Sequence, residues 1–369
     1  MNKKTVAYFT TSSTNVGVFN QLVQLAINID KNAFNPIFIL SNDIVENHLI
    51  LKLREKNIKI FSLKSNRYYH ILQLFKLIKI LRENNVHILH TRLRRSDFYG
   101  NLSKLFYKSF VINNIVDDHT DHFSTFHKYF SKSLGIIYNM VSRFSDIIIA
   151  NSKENFDYYK KLNYKTFFLN NGVDTNFYKR NDKNRNKLLF KHSIGKNAFN
   201  VGFVGEFKEI KGIDLLISII KEFKNNENIN FIICAGGNYL KDEFINEFKD
   251  CNNIYNLGFV ENLHEYYSLF DIQIFTSLSE GMQNVMLESF SCGVPAICPD
   301  VPGYSSLVDS KKGFLVKRVK ESYVKKLHHL LDNPNILKKI SHSCRSIMDE
   351  EHDFIKLAKD LDKIYNSLK

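Results

Sequence analysis

The feature that most limits what this chain can fold into is an alternation of short β-rich runs and longer amphipathic runs. It is played through once and then restarts at Asn200. In the first half, apolar runs at Thr5–Thr10, Pro36–Leu40, Ile58–Leu63, His87–His90, Val111–Val116, Asp146–Ala150 and Thr166–Leu169 read as strands. Helical stretches at Asn20–Asn28, Asn47–Lys56 and Tyr69–Glu83 fall between them. In the second half the strands are Val201–Val204, Phe231–Cys234, Ile254–Leu257, Ile272–Phe275 and Pro295–Cys298, with helices at Gly212–Phe223 and Lys241–Asp250. Strands buried on both faces are continuous apolar runs, and a helix after each returns the chain for a parallel neighbour. The fold class expected is therefore α/β, with two doubly wound Rossmann-like domains. Ligands collect at strand C-terminal ends in such sheets, so the two should face one another across a cleft. Residues 1–180 form the expected N-terminal domain and 199–351 the C-terminal one. The charged stretch 181–198 (from KRNDKNRNKLLFKHSIGK) reads as linker, and an amphipathic helix at about 352–369 closes the chain.

Charge separates the halves. The net charge is +13, but residues 1–180 hold 26 Lys+Arg against 13 Asp+Glu, while residues 181–369 hold 25 of each. A one-sided field calls for a partner that meets the first domain only. A nucleic-acid or membrane module without enzymatic activity would account for the charge, but not for the neutral second half, and nucleic acid is not expected as a partner. The five cysteines form no Cys-x-x-Cys pair and have no histidine at ligand spacing, which argues against a disulfide scaffold or a structural zinc site. The longest apolar stretch, Leu134–Ala150, is broken by Asn139, Arg143 and Asp146. A cytoplasmic protein, peripheral at most on a membrane, is expected.

Four strand-end segments carry the polar chemistry. In Ser277–Gly293 (SLSEGMQNVMLESFSCG), Glu280 lies in a loop and Glu288 about one turn inside the next helix. The helix-start amides from Met282 to Val285 stand between these carboxylates and suit an anion such as a diphosphate. Carboxylates beside an anion site are suited to sugar or ribose hydroxyls. In Gly202–Gly212 (GFVGEFKEIKG), Lys211 sits at a strand–helix junction, where it reaches a phosphate as a point charge. Asn170–Phe177 (NNGVDTNF) holds a tight Asn-Gly turn, with Asp174 and Thr175 placed to cap the next stretch of backbone. Val116–His122 (VDDHTDH) has no metal-ligand spacing and reads as a polar loop with one functional histidine.

Taken together, these segments resemble the retaining glycosyltransferases of family 4, which have the GT-B fold. SLSEGMQNVMLESFSCGVPAI with the later GFLV, NGVDTNF, and FVGEFKEIKGIDLLI all occur in that family's order and spacing. The resemblance implies that Glu288 binds the ribose hydroxyls of a nucleotide sugar. It places Glu280 beside the donor sugar, with Gly281, Met282, Gln283, Asn284 and Val285 offering contacts to sugar and phosphate. Lys211 would hold the diphosphate, Gly17 would let backbone approach it, Gly205 would belong to the donor-binding set, and His119 would stand near the reacting sugar. By the same likeness the final helix crosses back to the first domain, and no metal or other cofactor is required. The function implied is transfer of a hexose-type sugar, with retention, to a glycan or lipid-linked acceptor in bacterial surface polysaccharide synthesis.

The chain departs from the family at Glu206, where an arginine phosphate ligand is usual, and at Pro302–Ser306, where an acidic position is missing. Lys208 is the candidate substitute for the arginine. Tyr68–Glu83 (YYHILQLFKLIKILRE) sets Lys76, Lys79 and Arg82 beside Leu72 and Phe75, with Arg92, Arg94 and Arg95 close behind. Such a helix suits an anionic membrane surface or packs inward with a solvated basic edge. A GT-B nucleotide-sugar epimerase is the alternative enzyme. A Rossmann oxidoreductase is disfavoured because TTSSTNVG is no glycine fingerprint.

Overall fold

The computed structural model describes residues 3–14, 16–65, 71–115, 140–224, 226–278, 284–301 and 303–368. The chain forms two compact units, Met1–Asn171 with Phe354–Lys369, and Gly172–Asp353. The first is built on β1 (Lys4–Thr10), β2 (Phe34–Leu40), β3 (Lys59–Ser62), β4 (Val86–Arg92), β5 (Phe110–Ile115), β6 (Ile147–Ala150) and β7 (Thr166–Phe168). These strands lie in the order β3-β2-β1-β4-β5-β6-β7, every neighbouring pair parallel. Connections from β1 run to one side and those from β4 to the other, so the order reverses between β1 and β4. Val6, Ala7, Tyr8 and Phe9 are wholly buried, as a central strand covered on both faces requires.

The second unit holds β8 (Phe199–Phe207), β9 (Ile229–Gly237), β10 (Ile254–Asn256), β11 (Ile272–Ile274), β12 (Ala296–Pro299) and β13 (Gly313–Val316). Their order is β10-β9-β8-β11-β12-β13, again all parallel, with the reversal between β8 and β11. β13 and the helices Lys320–Asp332 and Asn335–Ile347 were not foreseen as elements from the sequence.

Two expectations are corrected. The stretch 181–198 is no free linker, because Asp182–Lys191 is a helix of the second unit. Asn181 caps it by accepting from the Lys183 and Asn184 amides, and Leu188, Leu189 and Ile194 are buried with Ile232, Tyr267 and Phe270. Arg185 donates to the Ser268 and Leu269 carbonyls and pairs with Asp271 at 3.3 Å. The charges are its solvent face, and two leucines suffice to anchor it. The chain passes between units instead at Asn171/Gly172 and Asp353/Phe354. The helix expected from Asn20 begins earlier, at Val16, so Gly17 lies in its first turn and not in a loop before it.

The last helix, Phe354–Asn366, belongs to the first unit. Its Phe354, Leu357, Ala358, Leu361, Ile364 and Tyr365 are buried with Val6, Tyr8 and Phe19. A polar seam runs under this face: Tyr365 Oη lies 2.6 Å from His90 Nδ1 and donates to Tyr8 Oη at 3.2 Å. Burial, with the nearby Arg92 charge, pushes His90 down to about 3, so its ring is neutral at physiological pH.

Candidate active site

In a doubly wound sheet the two loops at the order reversal diverge and leave a crevice at the strand C-terminal ends. In the second unit those loops follow β8 and β11. The chain leaves β8 through a short 3-10 turn, Glu209–Lys211, and closes it at Gly212 with φ +63°. Glycine is needed there: a Cβ would drive into the Thr276 carbonyl and stand 2.7 Å from Arg318 Nη2. The two loops are stitched together. Thr276 Oγ1 donates to the Lys211 carbonyl at 2.8 Å, and the Leu278 amide donates to the Ile210 carbonyl at 2.9 Å. Lys211 is thereby fixed by its backbone at the reversal, its side chain half-buried.

The loop after β11 enters the helix Asn284–Ser291. Met286, Leu287 and Phe290 form its buried face against Phe275, Ala296 and Cys298, and Gly293 at φ +67° comes just past its end. Glu288 is the fifth residue of this helix. Its Oε2 accepts from Tyr267 Oη at 2.9 Å, and Tyr178 also hydrogen-bonds the carboxylate. Burial pushes the Glu288 carboxyl above the ordinary glutamate range, and the two phenols offset part of that rise. Burial, with the adjoining carboxylate, also pushes both phenols up, so each stays protonated as a donor.

Tyr178 is placed by the NGVDTNF turn before it. Asp174 Oδ1 accepts from the Phe177 amide, and Thr175 Oγ1 donates to Asp353 at 2.9 Å. Arg345, whose guanidinium also forks onto Asp349, donates to the Thr175, Tyr178 and Ser291 carbonyls. Ser291 Oγ donates to the Tyr178 carbonyl as well. One arginine thus ties the turn to the end of the glutamate-bearing helix.

Of the expected donor residues, the structure brings Lys211, Asn284, Val285 and Glu288 to loops and helix starts around this reversal. Gly205 lies near the end of β8, where a side chain would meet only the Phe203 ring at 3.7 Å, so packing does not demand glycine. Lys208 does not stand free to replace the family's arginine, because it is ion-paired with Glu206 and both side chains are exposed. Glu280, Gly281, Met282, Gln283 and His119 lie outside the described residues, as does the Val116–His122 segment. Among the described residues no group of three or more His, Cys, Asp or Glu is close enough to hold a metal.

Sequence reasoning missed Tyr178, Tyr267, Arg318 and Phe259. The two tyrosines sit in strings, NFYKR and HEYYSLFD, that carry no periodic signal for a shared target. Phe259 is 79% exposed although large and apolar, and its Cβ lies 3.9 Å from where a Gly236 side chain would begin.

The basic helix Ile71–Glu83 is divided. Leu74, Leu77, Ile78 and Leu81 are buried, while Leu72 and Phe75 are exposed beside Lys76, Lys79 and Arg82. Lys76 donates to the Leu63 carbonyl, Arg82 to the Phe106 carbonyl, and Lys79 lies 3.8 Å from Glu83. Arg92 and Arg95, read with that basic cluster from the sequence, are buried; Arg92 donates to Asn171, and Arg95 to Asn42, Ser65 and Gln73.

The model of the Glycosyltransferase Family 4 matches residues 17–177, and that of Glycosyl transferases group 1 matches residues 198–333. The O-antigen biosynthesis glycosyltransferase WbnH of Escherichia coli is 26% identical over 286 residues, covering 72% of this chain and 74% of that protein. The capsular polysaccharide biosynthesis glycosyltransferase CapM of Staphylococcus aureus is 25% identical, covering 60% and 58%. The crystal structure of Anabaena Alr3699/HepE in complex with UDP superposes with a TM-score of 0.83 at 18% identity, covering 99% of this chain and 100% of that one. No helix among the described residues is long and apolar enough to cross a membrane. Matched in order over both halves by these two models, the chain belongs to the group 1 glycosyltransferases of the family 4 type, enzymes of GT-B fold.

Proposed function

We propose that this enzyme transfers a hexose-type sugar, with retention at the anomeric carbon, from a nucleotide-diphosphate sugar to a glycan or lipid-linked glycan in surface polysaccharide synthesis. The observation that carries the reading is Glu288, a half-buried carboxylate beside the order reversal that accepts hydrogen bonds from two phenols. A ribose offers paired hydroxyl donors, and an ionised carboxylate is their acceptor-only complement. Lys211 and the amides at the start of Asn284–Ser291 supply positive charge for the diphosphate as it leaves, when negative charge grows on it. Phe259 is a platform for the base, and Glu280 and His119 take the roles beside the sugar that the family resemblance gives them. Retention by front-side attack within an ion pair is the course that resemblance implies. The UDP and UDP-glucose complexes of Alr3699/HepE support a nucleotide-sugar donor, and the O-antigen and capsule relatives support a polysaccharide product.

The test is a thermal-shift panel of UDP, GDP, ADP, TDP and CMP on the wild type and on Glu288→Ala. A ligand that binds only the folded state at about 100 times its Kd stabilises by about 2.7 kcal/mol. One nucleoside diphosphate should raise the melting temperature of the wild type and not of the variant. No shift with any of them would sink the donor assignment.

A further inference from the structure

The family's second phosphate ligand is absent: Glu206 stands in its place, and Glu206 and Lys208 satisfy one another on the surface. A diphosphate leaving group still needs more than one cation to offset its charge. Arg318 comes after β13, at the far edge of the sheet from β8, yet its side chain runs back across the strand ends to the order reversal. Its Nε donates to the Thr276 carbonyl at 3.1 Å, and its Nη2 lies against Gly212, the residue after Lys211. Thr276 also binds the Lys211 carbonyl through its hydroxyl. The Arg318 guanidinium and the Lys211 backbone therefore both hang from Thr276.

Arg318 is half-buried, and among the described residues no carboxylate pairs with it. Neighbouring lysines on the same stretch do find partners, Lys312 with Asp309 and Lys320 with Glu222. Asp214, in the first turn of the helix Ile213–Lys221, makes no ion pair with Arg318. A guanidinium carries five donors, and a single carbonyl at Nε leaves most of its fork for another acceptor. A cation beside the N-terminus of Ile213–Lys221 is disfavoured by the helix dipole unless an anion joins it.

We propose that Arg318 supplies the second positive charge for the donor diphosphate, taking by a different route the place that Glu206 vacates. The inference rests on the nucleotide-sugar reading above, and the experiment separates the two. Calorimetry would compare the nucleoside diphosphate that stabilises the wild type with its nucleoside, on wild type, Arg318→Gln and Arg318→Lys. Arg318→Gln should weaken the diphosphate about 10- to 100-fold and the nucleoside less than about twofold, as loss of one charge-assisted contact requires. Arg318→Lys should restore most of the diphosphate affinity. A guanidinium that only ties Thr276 in place would give equal loss for both ligands, with Lys no better than Gln, and that result would overturn the proposal while leaving the donor reading intact. A wild type that binds no nucleotide would remove the donor reading first and Arg318's role with it.

Discussion

Glu288 is asked to be charged where the protein makes charge expensive. Its carboxyl is raised by burial, so acidification protonates it before an exposed glutamate, and a protonated carboxyl loses its acceptor-only character toward ribose hydroxyls. Nucleotide affinity should therefore fall as the solution is acidified, before exposed glutamates titrate, and Glu288→Gln should be weak and flat with pH; isothermal titration at several pH values checks this. Stability runs the other way. The folded chain holds this proton more tightly than the unfolded chain does, so the group favours folding at low pH and loses that contribution as pH rises through its raised value. Glu288→Gln should thus melt higher than wild type at pH 8, with the gap narrowing as pH is lowered; a variant that melts lower at pH 8 would contradict the burial argument. At this scale the sequence was legible only in part. Glu288 and Lys211 stood out because their residue type fits a strand-end motif. Tyr178 and Tyr267 did not, because what unites them is a shared carboxylate, which spacing along a chain does not encode.

Elements were most legible where an apolar run was long enough to be a buried strand. β1 and β2 were visible because each carries an unbroken run of four apolar residues, Val6–Phe9 and Ile37–Leu40, and β13 was not, since GFLV opens on glycine and leaves only three. Helix Asp182–Lys191 was misread for the opposite reason: its charged composition outweighed a two-leucine anchor. The closing helix was plain from its phase, and its burial makes a quantitative expectation possible. Leu361 is wholly buried against the first unit's core, so Leu361→Ala should cost about 2–5 kcal/mol, read by urea denaturation. Gly212→Ala should also destabilise, since left-handed backbone costs an L-residue about 1–2 kcal/mol even before the Thr276 clash. A Gly212→Ala variant that kept wild-type stability and nucleotide affinity would mean that the two loops are not stitched as described.

At the scale of the whole molecule, the one-sided charge has two parts. Arg92 and Arg95 are interior hydrogen-bonding groups, whereas Lys76, Lys79 and Arg82 stand on an exposed helix face with Leu72 and Phe75. If that face meets an anionic membrane, binding to phosphatidylglycerol-rich vesicles should weaken steeply with salt and with Leu72→Ser/Phe75→Ser, and not depend on nucleotide. Equal flotation with neutral and anionic vesicles, or none with either, would discard the membrane partner. The double passage between units has a different consequence, one of timing. The first unit's core includes residues that lie after the entire second unit, about 180 residues further along. At about 5–20 residues per second, a ribosome takes roughly 10–40 s to make the intervening stretch. During that interval the groove meant for Phe354–Asn366 is bare beside Tyr8 and Phe19. The half of the enzyme made first is the half finished last, and a nascent chain stalled within the second unit would be the species that chaperones have to shelter.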